Sequence, residues 1–265
     1  MKAALRRLIE QNARLWAGEA EVVRSYFASP QRTRETDLCW IARQAFKEMW
    51  DGVVPQLEAL RLDLTPAPAL GALPSLLRLA DSVRAELRHY EVFAALHESL
   101  RRPGDAPLDA EALGRSGDWP ENRALRELRA EHVRAHGALG LRAQRFTEGG
   151  YATLFAEGIA LRGRGGADDE IAEACAAVHA DEIDHMREGV EGVDTGDLDA
   201  AALRVLTELS TAQMRARIEM RNAQFGRPLA QERIAELCAG ALPPLAWSPR
   251  ATPEAAPIRP RSPRA

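Results

Sequence analysis

The sequence predicts an all-α fold, a bundle of long helices with one leading helix and further helices at its C-terminal end. Three observations carry this reading. Apolar residues recur at three- and four-residue steps through long segments, no segment shows the two-residue alternation of a strand, and the interruptions fall at turns rich in Pro and Gly.

The elements follow in order. A leading helix over residues 2 to about 28 carries Leu5, Leu8, Ile9, Leu15, Trp16, Val22, Val23 and Tyr26, and stops at Ser29 and Pro30. Helix A, about Glu35 to Leu62, places Leu38, Ile41, Ala45, Met49, Val53, Leu57 and Leu60 on one face, and the two prolines within 63–68 end it. Helix B, about Leu73 to Arg101, closes before Pro103 and Gly104. The loop that follows, through Pro107 and Asp118, is long for a hairpin and suits a crossover.

Helix C begins near Pro120 and extends to about Arg162, weakened by Gly137, Gly140, Gly149, Gly150 and Gly158. Interior glycines at roughly 0.5–1 kcal/mol each predict a bend, a break or close packing, with two shorter helices as the plainer alternative. Asp168, Asp169 and Glu170 suit the positive end of helix D, which runs to about Val190. Two more helices are expected, Leu198 to about Phe225 and Ala230 to about Ala241. Residues 1–242 then form one helical domain, with a core bundle at about 35–190, and the Pro- and Arg-rich stretch 243–265 is expected to be disordered.

Bulk properties narrow the function. The 265 residues carry a net charge of -4, which offers no general attraction to nucleic acid or an anionic membrane. Cys39, Cys175 and Cys238 are far apart and lack CxxC spacing, so neither a disulfide framework nor a zinc ribbon is indicated. The first sixteen residues are broken by Arg6, Arg7, Glu10 and Arg14, unlike a secretory leader, and no apolar run reaches the ~20 residues of a membrane span. A cytoplasmic protein is expected.

Chemistry concentrates in two short stretches. In AAVHADEIDHM, Glu182 and His185 are three residues apart on helix D; in AELRHYEVFAAL, Glu86 and His89 repeat the step on helix B. Helical residues three apart share a face one turn apart, so a carboxylate and an imidazole at this spacing can hold one ion. Four helical segments with this pair on the second and fourth resemble the ferritin-like di-iron carboxylate superfamily, in which successive helices supply Glu, Glu-x-x-His, Glu and Glu-x-x-His. Helix D suits that pattern better than the neighbouring haem-oxygenase-like oxidases.

The resemblance asks for one glutamate each on helices A and C. Glu182 lies about fourteen residues into helix D, and the same distance back from the end of helix C reaches Glu148, at heptad spacing from Leu141 and Phe155. Glu157 is the alternative. Counting back from Glu86 lands near residue 50, where Glu48 is the best candidate and Asp51 and Glu58 stand behind it. The expected metal ligands are Glu48, Glu86, His89, Glu148, Glu182 and His185.

Nearby residues have plainer expectations. His179 can be a third imidazole or an ordinary hydrogen-bonded histidine, and Asp181 can orient a ligand. Tyr90 and Tyr151 are expected in packing, Cys175 as a small core residue, and His132 with His136 outside the site.

The resemblance implies two iron ions, with a manganese–iron or manganese pair as alternatives. It implies dioxygen and a small organic substrate as partners, and it allows an external electron donor and a homodimer. The absence of a cysteine-rich iron module and the added helices favour an oxidase or oxygenase over a peroxidase or an iron store. Two alternatives stay open: a ferritin-like protein that oxidises and handles iron, and a metal-free helical interaction protein.

Overall fold

The computed structural model describes residues 3–63, 73–148, 153–190 and 198–246. Every regular element among them is helical. In order they are α1 (Ala3–Ala28), α2 (Arg34–Phe46), a π-helical segment (Lys47–Val53), α3 (Val54–Asp63), α4 (Leu73–Leu100) and α5 (Ala110–Ser116). There follow α6 (Pro120–His136), α7 (Ala138–Glu148), α8 (Thr153–Ile159), α9 (Ala167–Val190), α10 (Ala200–Gln224) and α11 (Gln231–Cys238). No helix among the described residues is long and apolar enough to cross a membrane.

The chain divides into two compact units, one of residues 31–126 and one of residues 1–30 with 127–265. In the smaller unit, α2, the π segment and α3 form one rod that packs along α4, while α5 rests on α2. Thr33 starts the rod with a capping box, its hydroxyl accepting from the Thr36 amide while the Thr36 hydroxyl accepts from the Thr33 amide. Trp40 and Phe93, both fully buried, meet edge to face between α2 and α4.

The predicted helix A is therefore present, but wound differently in its middle. At its end the Val54 amide donates to the Met49 carbonyl, five residues back. Such wide turns occur mostly as short insertions inside α-helices, frequently at functional sites.

In the larger unit, α1 packs against α10, α8 and α11, while α7 packs against α9 and α10, and α8 packs against α9. The leading helix and α10, expected as additions, are thus core members of this unit. Trp16, Val22 and Val23 of α1 are buried, with Met214 and Ile218 of α10. Between these helices lies an ion cluster in which the Glu19 carboxylate accepts from Arg217 Nε at 2.9 Å and from Arg221 Nε at 2.9 Å. Burial pushes the Glu19 carboxyl up, but the two guanidiniums outweigh it and hold it below the ordinary range.

The predicted helix C is broken into α6 and α7, as the plainer alternative expected, and α8 follows residues 149–152, which lie outside the described residues. Gly137 separates α6 from α7 with a φ of +52°, a conformation that favours glycine. Close packing occurs at Gly158, where an added Cβ would sit 2.3 Å from the Cys175 sulfur of α9. The heptad argument for Glu148 does not hold, since Leu141 is 53% exposed while Phe155 is buried.

Helix D matches α9 closely, with Asp168, Asp169 and Glu170 in its first turn. The expected disordered tail begins differently, because the Leu245 amide donates to the Ala13 carbonyl of α1 at 3.0 Å. The remainder of that tail, 247–265, lies outside the described residues.

Candidate metal centre

The smaller unit brings three of the expected ligands together. Glu48 comes from the π segment, Glu86 and His89 from α4, and they are 5, 3 and 2% exposed. His89 Nδ1 lies 3.6 Å from Glu86 Oε2 and 3.8 Å from Glu48 Oε2. The Glu-x-x-His step of α4 and one acid of the neighbouring rod thus converge on a single imidazole edge.

Two further residues shape this cluster. Gln44, one turn before Glu48, donates from Nε2 to Glu48 Oε1 at 2.5 Å. That bond occupies one carboxylate oxygen while the other faces His89. Gly52 provides room, because a Cβ on it would stand 2.7 Å from Glu86 Oε2. Neither residue was singled out in the sequence, although both lie four positions from Glu48, a spacing that puts them near its helical face.

The same unit disposes of the competing acids. Asp51 is held by Lys47 at 3.1 Å, by Asn122 Nδ2 at 2.9 Å and by Arg126 at 2.8 Å. Burial raises its carboxyl, and these cationic and amide partners more than offset that. Glu58 is exposed and pairs with Arg61. The facing count missed Glu48 by two residues because π winding fits more residues into the same axial length.

In the larger unit, Glu182 is buried on α9 at 6% exposure. The side chains of Glu148 and His185 lie outside the described residues, as do Gly149, Gly150 and Tyr151, although Glu148 ends α7 and His185 is within α9. The alternative to Glu148 is engaged elsewhere, since Arg24 Nη2 donates to Glu157 Oε1 at 2.5 Å. His132 stays out of the cluster as expected, with its Nδ1 3.0 Å from Gln213 Nε2, and His136 is exposed. Cys175 is fully buried, and burial pushes its thiol up to about 12, which marks it as a packing residue.

A divalent metal fits the donor set of the smaller unit. Two carboxylates in a buried space are costly unless positive charge compensates them. Oxygen and imidazole donors without thiolate suit iron or manganese, and the space at Gly52 lets Glu86 keep its position. Replacing Gly52 with alanine should therefore weaken the binding of any divalent ion held by this donor set about 10- to 100-fold, the range seen when a ligand's support is disturbed. The Tm of the metal-free protein should hardly change, because the group that must yield is the end of a flexible side chain; calorimetry with and without metal checks both.

No known family, curated protein or solved structure matches this chain.

Proposed function

We propose that this protein is a non-haem di-iron oxidoreductase, an oxidase or oxygenase that uses dioxygen on a small organic substrate. The observation that carries the proposal is the buried convergence of Glu48, Glu86 and His89 beside a π segment. The ferritin-like resemblance adds Glu148, Glu182 and His185 to the ligand set.

The chain's own residues have defined tasks in this reading. His89 presents Nδ1 to the side of both carboxylates, so that nitrogen must be unprotonated when it binds a metal. Gln44 donates to Glu48 Oε1, which favours a fixed carboxylate orientation over a swinging one. Gly52 leaves Glu86 space. Burial of all three keeps bulk water from the ligands. A pair of ferrous ions, when bound, would supply the electrons that reduce dioxygen.

Anaerobic titration with ferrous iron tests the proposal. Close to two tightly bound ions per chain are expected, with an absorbance change on admission of oxygen and oxygen uptake that a panel of small organic compounds stimulates. Failure to bind iron or manganese stoichiometrically would overturn it. Continued oxidation of iron far beyond two ions per chain, without any organic substrate, would instead assign the protein to iron handling.

A further inference from the structure

The face of α9 that carries Glu182 carries a second buried polar side chain. His179, one helical turn earlier, is 5% exposed, and its Nε2 has no hydrogen-bond partner among the described residues. A buried polar nitrogen left in that state is destabilising. The surrounding positions accept aliphatic and thioether side chains readily, as buried Val178, Ile183 and Met186 show. An imidazole is therefore not needed here for packing.

The sequence supplies the geometry. His179, Glu182 and His185 follow one another at three-residue steps within α9. The step that lets Glu182 share an ion with His185 recurs on its other side, toward His179. A carboxylate has two oxygens and can serve two ions at once, so a flanking imidazole on each side gives each ion one nitrogen donor. We propose that His179 is a third imidazole ligand, binding through Nε2 to a metal ion that Glu182 also holds.

This inference rests on the metal-dependent reading above and adds a residue to its ligand set. Burial pushes the His179 imidazole below its ordinary pKa, which keeps a lone pair available at neutral pH.

Cobalt(II) is the probe for the test, because it replaces iron in oxygen and imidazole sites and shifts the proton signals of its ligands. Proton NMR of the full-length protein loaded with cobalt should show three exchangeable, strongly shifted ring N–H signals, from His89, His179 and His185. His179→Gln should remove one of them and weaken cobalt binding by about 10-fold or more, while the metal-free protein keeps its Tm. Only two shifted ring signals in the unsubstituted protein, or unchanged signals and affinity in His179→Gln, would overturn the assignment. Should the variant fail to fold, the signal count in the unsubstituted protein decides by itself. If cobalt and ferrous iron both fail to bind the unsubstituted protein, the metal-dependent reading falls first, and the role of His179 with it.

Discussion

Replacing Glu19 with alanine is expected to lower the free energy of unfolding by about 3–5 kcal/mol, the cost of leaving a buried charge without its partner. Glu19 is fully buried between α1 and α10, where Arg217 and Arg221 both donate to it, and Arg221 also donates to Gln224. The substitution strands two guanidiniums in the core of the larger unit. Urea denaturation of the variant checks the figure, and a loss below about 1 kcal/mol would mean that the guanidiniums find water or other acceptors. Replacing all three charged residues with apolar ones of similar volume should be milder than the single substitution, since no unpaired charge remains.

The same cluster predicts a direction in pH. Because the folded carboxyl of Glu19 is held below its ordinary value, its contribution is fully present above the unfolded pKa, about 4.3. It is lost as pH falls through the lower folded value. Stability curves should therefore turn down on the acid side, and the Glu19→Ala variant should show a shallower fall there.

In the proposed di-iron centre, substitution of His89 by alanine is expected to abolish tight ferrous binding, with an affinity loss above about 100-fold. Disturbing a group that merely supports a ligand already costs 10- to 100-fold, and His89 is the nitrogen on which Glu48 and Glu86 converge. Metal-dependent stabilisation should vanish with it, about 2.7 kcal/mol at a metal concentration one hundred times the dissociation constant. His97, also buried on α4, serves as the control. Its replacement by alanine should alter stability and leave iron stoichiometry unchanged. Retention of stoichiometric iron by the His89 variant would remove the basis of the proposed centre.

The spacing of the candidate ligands was legible in the sequence because helical spacing is local. The step from Glu86 to His89 and that from Glu182 to His185 need only the knowledge that both segments are helices, and α4 and α9 match their expected limits within a residue or so. Choosing Glu48 over Asp51 and Glu58 was harder. Asp51 is withdrawn by Asn122 and Arg126, more than seventy residues further along the chain, as well as by nearby Lys47, and only the Lys47 pair is a local signal. Gln44 and Gly52 were overlooked because a glutamine and a glycine inside a helix have many duller uses.

By itself the sequence determined the all-helical class, the order of the long helices, breaks at glycine and proline, and the spacing of two Glu-x-x-His steps. Those are consequences of periodicity and backbone preference over a few turns. Only the tertiary structure decided that α1 and α10 share a core, since the bonds from Glu19 to Arg217 and Arg221 span about two hundred residues. It also decided that Glu48 joins Glu86 and His89 in the smaller unit, and that His179 is buried with a nitrogen that has no hydrogen-bond partner among the described residues. Each depends on which face of a helix finds a partner, a property of packing between distant segments that no local pattern encodes.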